Sequence, residues 1–329
     1  MTRSIDRRRA LGVGAGAVAA LTAGGARAQA WPNKPIRWIV PYTPGGITDA
    51  TTRIVAEKLT AALGQNIVVE NRPGANSLIG AEAAAKATPD GYTFITVIAG
   101  HSANATLYAG KLSFDPVKSF APVSLMGIAP LILTANNDFP PKDVKQLIDY
   151  AKANPSKISY GSSGVGAAAH LTTELIKQTA GIEMTHVPYR GTAPALQDLI
   201  GGSIQVLIDA PSSMMPQVRA GKVRALAMLS KERLEVAKEV PTMVEAGGPP
   251  IESATWMMAL APANTPRDIV DRMSKEVAKI VETAEIKERF ATMGIIPGGY
   301  DPARTGQFLA DEVARWAKVI ETAGVKPEQ

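Results

Sequence analysis

The chain has 329 residues, a length typical of two ordinary domains, and 46% of its residues are hydrophobic. Its formal net charge is +5, but residues 1–30 contain five arginines against one aspartate. The rest of the chain therefore carries 30 basic and 29 acidic residues (35 − 5 and 30 − 1). A nearly neutral body with 5% aromatic residues lacks the basic surface and the stacking platforms of nucleic-acid-binding proteins.

Residue types exclude several chemistries. The chain has no cysteine, which rules out disulfides, thiolate metal sites and cysteine nucleophiles. Its three histidines, at 101, 170 and 186, form no metal-binding sequence motif. There is also no recognisable Ser-His-Asp arrangement and no phosphate-binding P-loop. We therefore expect no catalytic residues, no metal and no cofactor.

The first thirty residues have the pattern of a secretory signal peptide. Three consecutive arginines precede the uncharged segment 10–26, and an Ala-Gln-Ala sequence ends at Ala30. The segment is short and rich in Gly and Ala, which argues against a transmembrane anchor. The arginines fit a twin-arginine signal, although Ala10 stands where an aromatic residue is usual. We expect cleavage near Ala30 and a soluble periplasmic protein, with the general secretory pathway as the alternative route.

Strand and helix patterns alternate after the signal segment. The first series consists of strands at 36–40, 67–69 and 93–98, with helices at 55–63 and 79–87. The second series consists of strands at 158–160, 184–187, 204–208 and 223–229, with helices at 144–151, 167–179 and 194–200. Each alternation is typical of a parallel, doubly wound α/β sheet. Two such series predict two α/β lobes of similar design.

Two apolar segments, 131–135 and 256–261, separate the series from each other and from the C-terminal part of the chain. If both cross between lobes, residues 31–132 and 258–329 form one lobe and residues 133–257 form the other. Two crossing strands would then act as a hinge beside a cleft. The C-terminal part is predicted to be two long helices. The first is capped by Thr265, and the second starts at Asp301-Pro302 and ends at Gly324.

Two glycine-rich turns connect predicted strands to predicted helices. The sequence PYTPGG occupies residues 41–46, and GSSGVG occupies residues 161–166. Glycines allow a ligand close to the backbone, and the free amides at a helix N-terminus favour an anion. For the first turn, an ordinary tight connection is the alternative. For the second, residues 164–169 fit G-x-G-x-x-A, but the preceding strand does not open the pattern of its lobe, and Glu183 lies ahead of the next strand rather than at its end. Both points favour a small carboxylate over a dinucleotide.

Several polar side chains accompany these turns. His170 lies one turn into the helix after the second turn, where a packing role is the alternative to ligand binding. Arg190 precedes another helix and could hold a carboxylate, or it could be solvated. Asp209 ends a predicted strand, where doubly wound sheets place ligand contacts. Asn76 and His101 stand in the corresponding connections of the first series.

Six stretches of the chain, in order, resemble one family, and together with their spacing they span nearly all of residues 31–329. They are residues 36–49 (IRWIVPYTPGGITD), 70–92 (ENRPGANSLIGAEAAAKATPDGY), 158–171 (ISYGSSGVGAAAHL), 187–209 (VPYRGTAPALQDLIGGSIQVLID), 239–247 (EVPTMVEAG) and 256–266 (WMMALAPANTP). The chain is similar to the Bug family, the periplasmic solute-binding proteins of tripartite tricarboxylate transporters. The resemblance implies a two-lobed Venus-flytrap fold, similar to type II periplasmic binding proteins, with a carboxylate bound in the cleft.

The resemblance also implies a set of ligand-binding residues. They are Tyr42, Thr43, Gly45, Gly46, Asp49, Ser162, Ser163, Gly164, Gly166 and His170, with Asn76, His101, Tyr189 and Asp209 beside them. The sequence departs from the family pattern at a few positions. Ile47, Asn76 and Ser77 stand where glycine is usual or frequent, and Arg190 stands where lysine is common. These departures bear on which ligand is bound.

We expect a monomeric binding protein that captures a small organic carboxylate and presents it to the permease subunits of a tripartite transporter. Two other functions stay open at this point. The same fold could serve as a ligand-sensing module of a two-component receptor kinase. A periplasmic enzyme is a third possibility, although no nucleophile is evident in the sequence.

Overall fold

The computed structural model describes residues 31–327, so the predicted signal peptide lies outside the described residues. The strands are β1 (Ile36–Val40), β2 (Ile67–Asn71), β3 (Thr93–Val97), β4 (Phe120–Pro130), β5 (Ile132–Asn136), β6 (Ser159–Ser162), β7 (Thr185–Pro188), β8 (Val206–Asp209), β9 (Val223–Met228), β10 (Ala254–Pro262) and β11 (Ile296–Pro297). The helices are α1 (Ile47–Leu63), α2 (Leu78–Ala85), α3 (Ala99–Leu107), α4 (Val144–Ala153), α5 (Ala168–Ala180), α6 (Thr192–Gly201), α7 (Pro211–Arg219), α8 (Arg267–Glu282), α9 (Ala284–Thr292) and α10 (Pro302–Ala323).

The strands form two sheets. The order of the first sheet is β11-β4-β10-β3-β1-β2, and the order of the second is β7-β6-β8-β5-β9. Strand β1 pairs in parallel with β2 and β3, and β6 pairs in parallel with β7 and β8. These parallel sets are the predicted β-α-β units.

Both sheets are mixed rather than wholly parallel, which differs from the sequence-based expectation. Strand β10 runs antiparallel to β3 and β4, and β5 runs antiparallel to β8 and β9. The antiparallel strands β5 and β10 coincide with the two apolar segments at 131–135 and 256–261. Only Leu131 separates β4 in the first sheet from β5 in the second. The chain returns to the first sheet at β10, after β9.

The predicted strand at 36–40 and the helix end at Gly64 agree with the structure, where Gly64 has a left-handed φ of 68°. Two other expectations were wrong. Helix α8 has Pro266 at its N-cap, because the Thr265 hydroxyl donates to the Pro262 carbonyl (2.7 Å) instead of capping the helix. The C-terminal part has a third helix, α9, between the two predicted ones. Helices α3 and α7 and strand β4 were not predicted.

The last helix, α10, packs against β10 and against helices that follow strands of both sheets. The indole nitrogens of Trp256 on β10 and Trp316 on α10 both donate to Oε2 of Glu312, at 2.8 and 3.0 Å. Trp316 also packs with Leu107 of α3 and Leu171 of α5 in one buried cluster. Helix α10 therefore contacts elements that adjoin both sheets.

None of the helices within residues 31–327 is long and apolar enough to cross a membrane.

Candidate ligand-binding site

Both glycine-rich turns lie where the strand order of a sheet reverses. In the first sheet β1 lies between β2 and β3, and the first turn (residues 41–46) follows β1. In the second sheet β6 lies between β7 and β8, and the second turn (residues 161–166) begins within the last two residues of β6. Doubly wound sheets bind ligands outside the carboxyl ends of strands at such points, because the connections diverge there and leave a crevice. The topology therefore favours both turns as ligand-binding loops.

The helices that follow the two turns begin without side-chain caps. Helix α1 has Gly46 at its N-cap and α5 has Ala167, and in the described structure neither N-cap side chain accepts a hydrogen bond. Helix α4 differs, because the carboxylate of Asp143 accepts from the amide of Gln146. An uncapped helix start leaves amide groups free to bind an anion, and the helix dipole adds to the attraction.

A network of hydrogen-bonded side chains, centred on Asp49, holds the first turn in place. Asp49 is 4% exposed, and its carboxylate accepts from the Gly45 amide (3.0 Å), from Asn71 Nδ2 (2.9 Å) and from Arg53 Nε (3.0 Å). Asn71 Nδ2 also donates to the carbonyl of Tyr42 (3.0 Å). Burial by itself raises the pKa of Asp49, but these hydrogen bonds and the Arg53 charge hold it below its usual value. Asp49 is therefore ionised, and both of its carboxylate oxygens accept hydrogen bonds from other groups of the protein.

The surface of the first turn is open. Thr43, Gly45 and Gly46 are exposed. A Cβ built on Gly45 would meet no atom within 4 Å, and one on Gly46 would meet only the Thr43 carbonyl, at 3.9 Å. The phenol of Tyr42 is buried beneath the turn beside Ser77 and the Ile98 backbone, and burial raises its pKa to about 12, so it stays protonated. This turn offers donors and free space next to the backbone.

The second turn is more tightly packed. Ser162 is fully buried, and its hydroxyl donates to the Gly164 carbonyl (3.0 Å) and lies 2.7 Å from Nε2 of His186. A Cβ on Gly166 would lie 2.5 Å from Cδ1 of Leu107 on α3. Ser163 is half-buried, and among the described residues no hydrogen bond is assigned to its hydroxyl. The Ser163 hydroxyl is therefore the one in this turn that remains available to a ligand.

Three rings are stacked behind the second turn. The imidazoles of His170 and His186 lie 3.8 Å apart between centroids with an interplanar angle of 9°, and the ring of Tyr160 stacks on His186 at 4.9 Å. Nδ1 of His170 accepts from the Gly166 amide (3.1 Å). Burial lowers the pKa of His170 to about 4 and that of His186 to about 3, so both imidazoles are neutral at physiological pH.

Asn76 joins the two regions. Its Nδ2 donates to Oδ1 of Asn104 on α3 (2.9 Å) and to the carbonyl of Val165 in the second turn (3.3 Å). The backbone φ values of Ala75, Asn76 and Ser77 are 46°, 49° and 71°. Glycine adopts these left-handed values without strain, whereas three residues with side chains adopt them here. In this chain the side chain of Asn76 gives a direct contact to the second turn instead.

The other predicted site residues have partners within the protein. His101 is fully buried, and its Nε2 lies 2.7 Å from the Pro116 carbonyl. The Tyr189 hydroxyl donates to Asp198 (2.6 Å). Asp209 accepts from the Thr192 hydroxyl and from the Ala210 amide, both at 2.7 Å. Asp209 lies at the carboxyl end of β8, next to the second turn, and burial raises its pKa.

Sequence reasoning missed several residues that shape the site. His186, Asn71, Arg53 and Asn104 were not singled out, yet each holds a predicted residue in place. A signal existed for His186. The strands predicted at 158–160 and 184–187 are consecutive members of a parallel sheet, and pairing them places His186 next to Tyr160, as the structure does.

Within residues 31–327 no group of three or more His, Asp or Glu side chains is arranged to hold a metal ion.

Known proteins are similar to this chain over most of its length. The family profile described as "Tripartite tricarboxylate transporter family receptor" matches residues 51–325. Protein BugT of Bordetella pertussis is 35% identical over 304 residues, which cover 91% of this chain and 92% of BugT. The chain belongs to this receptor family. The resemblance to Bug proteins is thereby confirmed.

Solved structures show the same fold as this receptor. A structure of Rpa4515 from R. palustris with adipate has a TM-score of 0.84 and 37% identity, and the match covers 91% of the receptor and all of that chain (100%). MatC from Rhodopseudomonas palustris with bound malate has a TM-score of 0.79 and 31% identity, covering 88% of the receptor and 100% of that chain. The predicted two-lobed periplasmic-binding-protein fold is confirmed.

Proposed function

We propose that this receptor captures a small organic carboxylate in the periplasm and delivers it to the membrane permease subunits of a tripartite transporter. The observation that carries the proposal is the pair of turns at the two strand-order reversals, each followed by a helix with an uncapped N-terminus. Asn76 connects the loops of the first sheet to the second turn, so both sheets border the same region. The relatives with adipate and with malate support a carboxylate as the ligand class.

Two acidic side chains near the turns do not oppose an anionic ligand. The charge of Asp49 is offset by Arg53 and by two further donors. Asp209 accepts hydrogen bonds from the Thr192 hydroxyl and the Ala210 amide, so its oxygens are occupied within the protein, and burial raises its pKa. Helix N-termini with neutral surroundings can bind a carboxylate without a dedicated cation.

Binding requires no chemical step. Residues 31–132 with 258–329 form one proposed lobe, and residues 133–257 form the other. An open cleft admits the carboxylate, and contacts that exist only in the closed form then stabilise closure. The bound ligand must be small, because groups from both lobes have to reach it. The receptor acts as a monomer in this scheme, since one chain supplies both turns.

A thermal-shift screen tests the ligand class. Adipate, malate and citrate are compared with adipamide, which has the length of adipate without its charge. A ligand at about 100 times its Kd stabilises the folded state by about 2.7 kcal/mol, which is easily seen as a rise in Tm. We expect at least one carboxylate to raise Tm and adipamide to leave it unchanged. If no carboxylate has an effect at millimolar concentration, the proposed function is wrong.

Transport is tested separately from binding. Membrane vesicles that contain the cognate permease subunits should accumulate the labelled carboxylate only when the loaded receptor is added. Ligand binding without any stimulated uptake would contradict the permease as partner. It would favour the sensing module that the sequence leaves open.

A further inference from the structure

His186 was not among the predicted ligand-binding residues, yet it touches the most deeply buried side chain of the second turn. Ser162 has one hydroxyl proton and two acceptors within reach, the Gly164 carbonyl at 3.0 Å and Nε2 of His186 at 2.7 Å. A carbonyl can only accept, so a Ser162 proton directed to Gly164 leaves His186 as the donor, with its own proton on Nε2.

The tautomer of His170 follows from its own contact. Its Nδ1 accepts from the Gly166 amide at 3.1 Å, so the proton of the neutral ring is on Nε2. The two rings lie 3.8 Å apart and are nearly parallel. Two stacked imidazolium cations would repel each other strongly at this distance, so the arrangement requires at least one neutral ring.

The charged groups around the rings balance each other. Glu174 on α5 accepts from Lys177 Nζ (2.9 Å) and from the hydroxyl of Tyr160, whose ring stacks on His186. The charges of Lys177 and Glu174 therefore largely cancel in front of the stacked rings. Burial then favours neutral imidazoles, and the stack depends on that neutrality.

We propose that His186 and His170 are positioning residues for the second turn. The neutral stacked pair holds the Ser162 hydroxyl and the Gly166 amide, and thereby sets the backbone path that presents Ser163 and the start of α5 to the carboxylate. This inference rests on the proposed carboxylate site at the second turn. Protonation of His170 places a hydrogen on Nδ1 opposite the Gly166 N–H, so acid breaks the contact that orders the turn.

The first test needs no ligand. The chain has three histidines, so imidazole nitrogen NMR resolves each ring, and single substitutions assign them. At neutral pH, His170 and His186 should both be the Nε2–H tautomer. The Gly166 amide signal should move with the His170 ring, at a midpoint near pH 4. A His170 midpoint near the ordinary value of about 6.5, with an unmoved Gly166 amide, would overturn the proposal.

The second test uses calorimetry with adipate and malate as probes and compares matched variants. His186→Gln keeps an amide donor near the Nε2 position and His170→Asn keeps an oxygen acceptor near Nδ1, whereas the leucine variants keep neither. Each leucine variant should weaken binding about tenfold or more, the loss expected for a hydrogen bond, and each polar variant less than about threefold. Equal losses for leucine and polar variants would show that the rings act by packing alone, which contradicts the proposal.

Calorimetry at several pH values distinguishes protonation of His170 from protonation of carboxylates in the protein and in the ligand. Between about pH 7 and about pH 3, wild-type affinity should fall more steeply than that of His170→Asn, because only the wild-type protein has the His170 ring to protonate, whereas Asp209 and the ligand carboxylate are present in both measurements. Parallel curves would contradict the proposal. If the wild-type receptor binds neither these probes nor any other carboxylate, the proposed function fails, while the tautomer and titration results still decide whether the pair orders the turn.

Discussion

The two turns share a sequence pattern, a buried strand followed by a glycine-rich loop and an uncapped helix, but their glycines have different tasks. A side chain added at Gly45 would enter open space. A side chain added at Gly166 would collide with Leu107, and one at Gly161 would lie 2.5 Å from Ile204. Glycines in the first turn leave room for a ligand, whereas these two glycines of the second region allow protein segments to pack closely. The same motif therefore predicts ligand access in one place and close packing in the other.

The groups that support the turns also differ. A carboxylate with three donors supports the first turn, and two neutral imidazoles support the second. Protonation weakens both arrangements, but for opposite electrostatic reasons. Acid removes a compensated charge beneath the first turn, and it introduces an uncompensated charge behind the second.

The largest effect is expected from Gly166→Ala. The left-handed φ of 79° costs about 1–2 kcal/mol for alanine, and overpacking against Leu107 costs roughly 1–3 kcal/mol more. Urea unfolding measures the sum. Gly181→Ala is the matched control, because Gly181 has a φ of 62° with no atom near its Cβ position. Equal destabilisation of the two variants would refute the packing role of Gly166.

Gly46→Val tests the opposite property of the first turn. Gly46 has φ −75° and ψ 169°, which valine adopts without strain, and its surroundings are open. Because valine is a poorer N-cap residue than glycine, the free energy of unfolding should fall, but by no more than about 1 kcal/mol. Carboxylate affinity should fall about a hundredfold, or about 2.7 kcal/mol, because the side chain occupies the space of the ligand. Calorimetry that gives wild-type affinity would place the ligand elsewhere.

Asp49→Asn examines the support of the first turn. Loss of a buried carboxylate with three donors should destabilise the protein by about 2 kcal/mol at neutral pH. Because the pKa of Asp49 is lowered in the folded state, its contribution is present above the unfolded value of about 3.9 and is lost as the pH falls below it. Urea unfolding at several pH values should show a constant difference above about pH 5 that shrinks in acid. A difference that does not depend on pH would mean that the charge is unimportant.

The regular elements were largely predictable because local patterns determine them. The apolar run at 36–40 and the left-handed glycine at 64 are local signals, and both agree with the structure. Helix α3 was missed because it is buried on most sides and contains buried Gly100, His101 and Asn104, which leaves no apolar face to recognise. Strand β4 was missed because it has a proline near each end and a central glycine, and these residues are uncommon inside strands.

The interior of the candidate site could be predicted only in part. The two turns and His170 are sequence-local features, and strand order makes both turns candidates for ligand binding. Contacts such as Asn76 with Val165, or Ser162 with His186, join residues from different elements. Their geometry depends on sheet register and on lobe placement. The strand pattern places His186 beside Tyr160, but it does not determine the contact of His186 with Ser162 or of Asn76 with Val165.

Ser163→Ala should have the smallest effect and gives the finest comparison between backbone and side chain. If amides hold the carboxylate, loss of this hydroxyl removes one hydrogen bond and weakens binding by about tenfold or less, which is about 1.4 kcal/mol. Ser162→Ala provides the contrast, because the fully buried Ser162 bonds to Gly164 and His186, so its loss should lower the free energy of unfolding as well. Calorimetry and urea unfolding on both variants separate the roles. Complete loss of binding in Ser163→Ala, with stability unchanged, would mean that one hydroxyl rather than the two helix N-termini carries recognition.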